Sequence, residues 1–517
     1  MPHSGPSLLE PVRLAELLDV GLQRHSDEPA LVSMERQWTW AQLDRITSGL
    51  AAHYLSLGLT PGDRVASLMP NRVPLLAHYL ACFKAGLVAT PLNYRYTPPE
   101  IDHALEVSEA AIIVAHAERK DDIAASKARD LRLGVVTYGE SESSAPSLER
   151  FLEDEPPALT LPEVDSDAPA AIFFTSGSTG PAKGVTHTVD SLGWLFASAG
   201  AAFELTPEDT LLPGSSCSHI GGVAFSFAAL SKGARVVVAR AFDHDELGPL
   251  LRMTRPTVLS MLPTALLRLI REHDISKDDF SSLRLCRCGG DKVPAELEKE
   301  FVAMTGHPIN EGYGMTEIGL ATLNPPSGVV KFGSVGSPTP GFVVSVRSDN
   351  GEEVVRGQQG RLWVKTPTQT SGYWNNPEAS DQVMKDGWLD TGDVMKADED
   401  GYLWFCGRKK QIIVHDGSNI CPQEVEEALL EHPAVENAGV IGVHDLLHGE
   451  NVRAYVEIRA DAAPPTAREL IQFARERVGY KAPEEIVFLE EMPLNATGKV
   501  DRVTLKKLAA DDHALHI

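Results

Sequence analysis

The stretch from Phe174 to Gly184, FTSGSTGPAKG, carries residue types that could hold a phosphate group. Glycines let the backbone approach a polyanion closely, backbone N–H groups and hydroxyls donate hydrogen bonds, and Lys183 supplies a positive charge. The alternative interpretation is a flexible surface turn rich in serine and glycine. The stretch therefore indicates a phosphate-binding loop, and its candidate ligands are Thr175, Ser176, Gly177, Ser178, Thr179, Gly180 and Lys183.

The spacing within this loop excludes a Walker A motif. Counting from Gly177, Ala182 stands where the second glycine is needed, and Gly184 stands where a magnesium-binding Ser or Thr is needed. The loop instead resembles the TSGTTGKPKG signature of the adenylate-forming superfamily, which includes acyl-CoA synthetases, luciferases and the adenylation domains of peptide synthetases. The proline comes one place early, at Pro181, and the lysine keeps its register.

Length and composition describe a globular protein of more than one domain. A chain of 517 residues is too long for one ordinary core, and 43% apolar with 23% charged residues excludes disordered and collagen-like classes. The net charge of −25 argues against nucleic acid or an anionic membrane surface as a general partner. An anionic ligand such as ATP then needs a locally basic site.

The cysteines and the N-terminus favour a soluble, cytoplasmic protein. Six cysteines spread over a chain of this size predict no disulfide scaffold, and Cys286 and Cys288 lie in a strand-like segment rather than a zinc site. The first residues lack the basic and apolar regions of a secretory signal. The run from Leu75 to Leu87 contains His78 and Lys84 and is too short to span a bilayer, so no integral membrane segment is expected.

Alternating strand and helix patterns predict the fold. From Trp38 to Thr137 they indicate an α/β domain of layered sheets with flanking helices, and the Gly- and Pro-punctuated section from Gly333 to Gly372 indicates a β-subdomain. Helix and strand patterns after Arg408 predict a small α+β domain. We therefore predict a large N-terminal domain at 1–407 and a small, mobile C-terminal domain at 408–517, which the resemblance implies is a lid.

A second motif, GYGMTE from Gly312 to Glu317, matches the YGxTE of the same superfamily. The resemblance implies that Tyr313 stacks on adenine, that Thr316 bonds the α-phosphate, and that Glu317 helps to hold Mg²⁺. A flat ring and a hard carboxylate oxygen suit these roles. The resemblance also assigns Thr175 to the metal, and it places beside the nucleotide the residues Gly290, Asp291, Glu311 and Gly312.

Further matches lie in the last quarter of the chain. Asp393 in WLDTGDV corresponds to the carboxylate that binds both ribose hydroxyls, and Arg408 in GRKKQ would reach the same sugar. Lys499 in NATGKVDR corresponds to the lysine that bridges the acid and the α-phosphate during adenylation. Lys410 stands at the hinge position of the family. The resemblance runs from Trp38 to Arg502 and is greatest to the fatty and aryl acyl-CoA synthetases.

The acyl pocket is predicted after the phosphate loop. Members that activate amino acids place an aspartate there, whereas this chain offers His219, so an uncharged acyl chain is favoured, with His219 as a pocket wall or gate or as a packed core histidine. Small and apolar residues suit a tunnel lining, and the predicted wall comprises His219, Gly221, Gly222, Phe225 and Gly314. A medium- or long-chain fatty acid is the favoured substrate, with an aryl or cyclic acid as the alternative.

The acceptor of the acyl group is predicted to be coenzyme A. Gly417 matches a glycine that lines the pantetheine channel of acyl-CoA synthetases, whereas Val414 replaces the lysine that luciferases use for oxidation. Three hypotheses remain: a two-step ligase that uses ATP, Mg²⁺ and coenzyme A, an enzyme that hands its adenylate to a carrier protein, and a nucleotide-binding regulator without catalysis. The presence of all candidate catalytic residues disfavours the third.

Overall fold

The computed structural model describes residues 3–5, 8, 10–139, 146–175, 182–240, 244–272, 274–408, 411–415, 418–445, 449–495 and 498–514. The chain forms two compact units. The larger unit contains residues 2–344 and 364–389, and the smaller unit contains residues 345–363 and 390–517. This division differs in position from the predicted domain boundary after residue 407, which stays a prediction.

The strands are numbered in chain order. They are β1 His3–Ser4, β2 Pro29–Val32, β3 Gln37–Thr39, β4 Arg64–Leu68, β5 Val88–Pro91, β6 Ile112–His116, β7 Val135–Tyr138, β8 Pro169–Thr175, β9 Lys183–Thr188, β10 Thr210–Gly214, β11 Arg235–Val237, β12 Val258–Met261, β13 Leu285–Gly289, β14 Ile309–Met315, β15 Gly319–Leu323, β16 Ser337–Pro338, β17 Val343–Arg347, β18 Gln359–Lys365, β19 Gly372–Tyr373, β20 Met384–Lys385, β21 Trp388–Ala397, β22 Leu403–Arg408, β23 Ile413–His415, β24 Ser418–Ile420, β25 Val435–Asp445, β26 Gly449–Ile458 and β27 Glu485–Leu489.

The α-helices are numbered in the same way. They are α1 Asp19–His25, α2 Trp40–Ser56, α3 Val73–Ala85, α4 Pro98–Ser108, α5 Lys120–Ala125, α6 Leu148–Glu153, α7 Val189–Ala202, α8 Ile220–Ser231, α9 His244–Thr254, α10 Pro263–Glu272, α11 Ala295–Thr305, α12 Pro377–Val383, α13 Pro422–Leu430, α14 Ala467–Val478 and α15 Arg502–Ala514. Within the described ranges, no helix is both long enough and apolar enough to cross a membrane.

Two sheets lie entirely within the larger unit. One has the strand order β16-β15-β14-β13-β12-β10-β11-β2-β3, and its central strands from β14 to β2 run parallel. The other has the order β19-β9-β8-β5-β4-β6-β7, with β8 and β9 forming an antiparallel hairpin. Parallel strands connected through helices are the architecture that the alternating sequence pattern predicts. The predicted α/β class is confirmed.

The main core of the larger unit gathers side chains from both sheets and from α2, α3, α7 and α8. Every residue of α3 is buried, which explains why this helix is apolar around most of its circumference. Residues of α9, α10 and α11 form a second core with the first sheet, and residues of α4 and α5 form a third core with the other sheet. The sheets are therefore covered on both faces, as parallel strands require.

Two connections differ from their predicted form. The small residues of LLPGSSCSHIGG, Leu211 to Gly222, predict a turn, whereas β10 ends at Gly214 and α8 begins at Ile220. The low helix propensity of glycine is overridden because α8 is almost entirely buried. The interval from Gly139 to Pro169 is rich in Ser, Glu, Asp and Pro and predicts a surface connection, but it contains the short helix α6, whose N-cap Ser147 accepts a hydrogen bond from the Arg150 N–H.

The smaller unit has its own sheet and core. The sheet order is β24-β23-β26-β25, with β27 parallel to β26, and α13 and α14 contribute to its apolar core. The spacing of Thr466 and Glu469 predicts a capping box at the start of α14, and the two residues do exchange side-chain to backbone hydrogen bonds. In the same unit β21 pairs antiparallel with β22, which places Asp393 opposite Arg408.

Candidate functional site

The predicted phosphate loop connects the two strands of the β8–β9 hairpin. Thr175 ends β8, Lys183 begins β9, and the two residues are paired across the hairpin. Ser176, Gly177, Ser178, Thr179 and Gly180 lie outside the described residues. The hairpin therefore holds the two ends of the loop together and presents Lys183 from a strand rather than from a flexible segment.

Tyr373 connects the loop lysine with the motif glutamate. The Lys183 Nζ lies 4.9 Å from the centre of the Tyr373 ring, and the Tyr373 hydroxyl donates a hydrogen bond of 2.8 Å to Oε1 of Glu317. Burial and the adjacent Glu317 carboxylate raise the pKa of Tyr373, so the phenol stays a neutral donor. Residues 134 positions apart in sequence thus contact the same tyrosine.

The backbone around Thr316 and Glu317 is held by buried neighbours. The His187 Nε2 lies 2.8 Å from the carbonyl oxygen of Thr316, and its Nδ1 lies 3.3 Å from the Ser191 Oγ. Burial lowers the pKa of His187 to about 4, so the ring is neutral at neutral pH and Nε2–H donates to the carbonyl. The Thr370 N–H also donates to the Glu317 carbonyl, at 2.7 Å.

The predicted adenine side lies where β13 and β14 end. The strands pair in parallel, with Gly289 opposite Gly312, so the Gly290 turn directly follows β13. Gly290 has φ of +90°, a conformation that favours glycine. Tyr313 is largely buried, and its stacking on adenine stays a prediction. Asp291 accepts a hydrogen bond from the Lys292 N–H at 2.9 Å, and Glu311 is buried in β14.

The residues predicted to hold Mg²⁺ fit that ion chemically. Mg²⁺ binds hard oxygen ligands and is commonly held by one or two carboxylates together with substrate phosphates and water. Glu317 supplies a buried carboxylate, and Thr175 supplies a partly exposed hydroxyl at the edge of the loop. In the described ranges no group of three His, Cys, Asp or Glu residues could hold a metal alone. The assignment of Glu317 and Thr175 to Mg²⁺ stays a prediction.

The predicted acyl pocket lies at the start of α8. His219 is the N-cap residue of this helix, and the Phe225 ring stacks on Phe203 with centroids 4.8 Å apart. A Cβ added at Gly221 would meet only the edge of Phe225, at 3.8 Å. At Gly222 it would lie 2.3 Å from the Ser216 carbonyl oxygen, so Gly222 provides space for the backbone.

The remaining pocket residue, Gly314, has a similar structural role. A Cβ added there would lie 2.2 Å from the Gly319 carbonyl oxygen, beside the irregularity in the pairing of β14 with β15. Of the three predicted pocket glycines, Gly221 therefore has the most open surroundings.

Three predicted residues of the smaller unit can be described in it alone. Asp393 is 3% exposed, and the Arg408 Nε donates to its Oδ1 at 3.2 Å. Lys499 is exposed in a short turn, where its N–H donates to the Asn495 Oδ1 and its carbonyl accepts from the Asn495 N–H. The predicted hinge Lys410 and the predicted channel residue Gly417 lie outside the described residues.

Sequence reasoning assigned no site role to His187, Tyr373 or Arg287. Tyr373 belongs to GYWNNPE, Gly372 to Glu378, a further stretch that resembles the superfamily but to which the sequence assigns no role. His187 has no motif of its own and gains its role from a contact with a residue 129 positions away. Arg287 lies in an apolar strand, and its guanidinium is 4.8 Å from the centre of the Phe225 ring. A charged residue inside an apolar strand was the available signal.

The chain matches two family models. One, described as AMP-binding enzyme, covers residues 18–374, and the other, described as AMP-binding enzyme C-terminal domain, covers residues 424–499. A feruloyl-CoA synthase of Amycolatopsis sp is 35% identical over 89% of this chain and 92% of the relative. A long-chain-fatty-acid–CoA ligase of Yersinia pestis is 31% identical over 98% of this chain and 96% of the relative.

The fold is also similar to that of a solved ligase. The crystal structure of an anthranilate CoA ligase in complex with anthranoyl-AMP matches this chain with a TM-score of 0.89 and 26% sequence identity. The match covers 98% of this chain and 99% of that one. The matched region therefore includes residues of both compact units.

Proposed function

Given that the chain belongs to the AMP-binding enzyme family, we propose that it is an AMP-forming acid–thiol ligase. In the first half-reaction a carboxylate oxygen attacks the α-phosphorus of ATP, and the bond to pyrophosphate breaks. In the second, the coenzyme A thiol attacks the acyl carbon and AMP leaves. The observation that carries this proposal is the contact of Lys183 and Glu317 with the same residue, Tyr373.

Each part of this cluster suits adenylation. Lys183 carries the charge that a polyphosphate requires, and the Tyr373 hydroxyl holds Oε1 of Glu317 in place, which orients a carboxylate suited to a hard cation. Mg²⁺, when bound, neutralises phosphate charge. His187 and Thr370 hold the backbone that presents Thr316 and Glu317, so these side chains need little reorganisation when charge develops.

The smaller unit supplies the other proposed groups. Asp393 and Arg408 would bind the ribose, and Lys499 would bridge the acid and the α-phosphate. We further propose that residues 408–517 act as a mobile lid that pivots at Lys410, and that Gly417 lines the coenzyme A channel. An exposed lysine in a local turn suits a group that engages the substrate only in one step.

Two classes of carboxylic acid are candidates for the substrate, and the residues of the predicted acyl pocket favour an aromatic acid. The curated relatives include ligases named for ferulate and for long-chain fatty acids, so the fatty acid favoured by the sequence keeps support. The stacked rings of Phe225 and Phe203 and the buried guanidinium of Arg287 would suit a flat, polar acid better than a long alkyl chain. We therefore propose an aromatic carboxylic acid, with a medium- or long-chain fatty acid as the second candidate.

Product analysis tests this proposal. The protein is incubated with MgATP, coenzyme A and a panel of aromatic and aliphatic acids, and AMP, pyrophosphate and acyl-CoA are expected as products. A parallel reaction without coenzyme A is expected to give enzyme-bound acyl-adenylate. Release of ADP would contradict the proposed chemistry, and an adenylate that never reacts with coenzyme A would favour transfer to a carrier protein.

A further inference from the structure

Arg287 is a buried cation beside the predicted acyl pocket. It lies in the middle of β13 and is 8% exposed, and its guanidinium stacks on Phe225. Its Nε is buried and has no hydrogen-bond partner among the described residues. Buried polar atoms are nearly always paired, so an unpaired guanidinium nitrogen calls for an explanation.

A second unpaired group lies next to it. Ser260 on β12 is the register partner of Arg287, and its buried Oγ also lacks a hydrogen-bond partner within the described part of the chain. Register partners on parallel strands project to the same face of the sheet. The next residue in this row, Asn310 on β14, donates its Nδ2 to the Asn324 carbonyl at 2.9 Å. The unpaired groups are thus Arg287 and Ser260, while their neighbour is paired.

The backbone beside Arg287 leaves room for its guanidinium. Gly289 lies two residues further along β13, and a Cβ at this position would be 2.6 Å from Nη2 of Arg287. Ser260 lies one residue, and Arg287 two residues, before the carboxyl end of its strand. Ligands bind outside the carboxyl ends of the strands in open α/β sheets, so both donors lie near the edge of the sheet that this architecture uses for binding.

The charge of Arg287 persists in this environment. Burial lowers the pKa of Arg287 to about 10, which leaves the guanidinium charged at neutral pH. Burial raises the pKa of the flanking thiols Cys286 and Cys288, so they stay neutral, and the Glu311 carboxylate on β14 acts to raise the pKa of Arg287. Stacking on Phe225 stabilises the cation by less than its desolvation costs.

We propose that Arg287 and Ser260 form a specificity site for an acceptor oxygen on the acyl group, at the end away from the reacting carboxylate. This inference rests on the proposed function, because it assumes that the acid binds against Phe225. The guanidinium donates in its plane, and the Ser260 hydroxyl provides a further donor. The substrate class is a carboxylic acid whose distal end bears a hydroxyl, ether, carbonyl or second carboxylate.

Matched acids test this site. The first series is 4-methyl-, 4-hydroxy- and 4-carboxycinnamic acid, and the second is undecanoic, 10-hydroxydecanoic and decanedioic acid. We expect kcat/KM of the wild-type protein to favour an oxygen-bearing acid by at least about tenfold over its methyl analogue. The hydroxyl and carboxylate members show which oxygen the site takes. Arg287→Met is expected to bring this ratio close to one, and Ser260→Ala to reduce it less.

The ratio of kcat/KM for two acids, measured on one protein, does not depend on the fraction of that protein that is folded. A destabilised variant therefore still reports on specificity. Arg271→Met is the matched control, because Arg271 pairs with Glu296 and Glu300 between α10 and α11, and it is expected to keep the wild-type ratio. Equal use of oxygen-bearing and methyl acids by the wild type would overturn the inference. An equal loss for all acids in Arg287→Met would also overturn it, since Arg287 would then hold the reacting carboxylate or the fold.

Binding measurements separate this inference from the proposed function. Calorimetric titration of the same acids, in the presence of MgATP analogue without turnover, is expected to show tighter binding of the oxygen-bearing acid to the wild type and no preference in Arg287→Met. If no acid gives acyl-CoA but this preference is found, the proposed function fails and the specificity site stands. If acyl-CoA forms without any preference in binding or turnover, only the specificity site fails.

Discussion

The cluster around Glu317 and the turn that carries Lys499 present their functional groups in opposite ways. Glu317 is 6% exposed and bonded to Tyr373, and its backbone is held through Thr370. Lys499 is exposed, and its described contacts are backbone bonds to Asn495 within one turn. The first region fixes its groups before substrate binds, whereas the second only presents a long, flexible side chain.

This difference suggests a division of labour between the two regions. A pre-organised cluster is suited to groups that ATP requires throughout the reaction, because no reorganisation is needed when charge moves. A flexible lysine is suited to a group that must be present in one half-reaction and absent in the next. Mutations in the two regions should therefore change the rates of the two half-reactions in different proportions.

The largest effect is expected for Lys499→Ala. Adenylation brings a carboxylate against a triphosphate, and a lysine between the two anions offsets charge on the α-phosphate. Its removal should lower the rate of adenylate formation by about 10²-fold or more, measured as pyrophosphate release. Thioester formation from a supplied acyl-adenylate should remain largely intact, because the phosphate is then the leaving group.

Lys506→Ala is the control for this experiment, since Lys506 is exposed on α15, a few residues beyond Lys499. It should leave both half-reactions unchanged. If Lys499→Ala lost both half-reactions equally, or formed adenylate at the normal rate, the proposed contrast between the two regions would be wrong.

A smaller effect is expected for Tyr373→Phe, which removes the hydroxyl that bonds Glu317. At the lower end of the about 1.5 to 3 kcal/mol that hydrogen bonds to charged groups contribute, kcat/KM for MgATP should fall by about tenfold. Each half-reaction that requires the metal bound with the nucleotide should become slower in Tyr373→Phe. Lys499→Ala, in contrast, should slow only adenylation. Steady-state kinetics at several Mg²⁺ concentrations would measure the change.

Tyr94→Phe offers a matched control for Tyr373→Phe. The Tyr94 hydroxyl donates to the Glu118 Oε2 at 2.7 Å, which is the same chemistry outside the predicted nucleotide site. It should leave kcat/KM for MgATP unchanged. Equal losses in the two variants would indicate a general effect on stability rather than a role of Tyr373 at Glu317.

The sequence predicted the motifs of the site but not the residues that support them. Lys183, Glu317 and Asp393 lie in short local patterns that a single chain reveals. The contacts of Tyr373 with Glu317 and of His187 with Thr316 join distant segments, and no local pattern encodes them. Sequence reasoning therefore identifies groups that contact substrate more readily than groups that position them.

The fold was predictable to a similar degree. Alternating strand and helix patterns predicted the α/β class, because the spacing of apolar residues along the sequence differs between strands and helices. The start of α8 was missed because Gly221 and Gly222 disfavour a helix in isolation, and its burial decides the conformation. Tertiary burial is not visible in a local window of residues.

The last prediction concerns the pH dependence of stability, and its expected effect on turnover is the smallest of the three. It probes how firmly the buried cluster is held. His187 has a pKa of about 4 in the folded protein, because burial disfavours its charged form, against about 6.5 when unfolded. Between these values the unfolded state binds more protons. The stability of the larger unit must therefore fall as the pH decreases from about 6.5 towards 4.

His187→Gln removes this titration while its amide can still donate to the Thr316 carbonyl. Between pH 7 and pH 5, the free energy of unfolding should fall by about 2 kcal/mol less in the variant than in the wild type, as measured by urea denaturation. His78→Gln is the companion variant, because burial also lowers the pKa of His78, to about 3, and His78 contacts Tyr54 rather than Thr316. Both variants should reduce the pH dependence, and His187→Gln should leave adenylation nearly unchanged, because its amide keeps the hydrogen bond to the Thr316 carbonyl. If His187→Gln had the same pH dependence of stability as the wild type, the pKa of His187 would be the same in the folded and the unfolded protein. The buried cluster would then be less rigid than its contacts indicate.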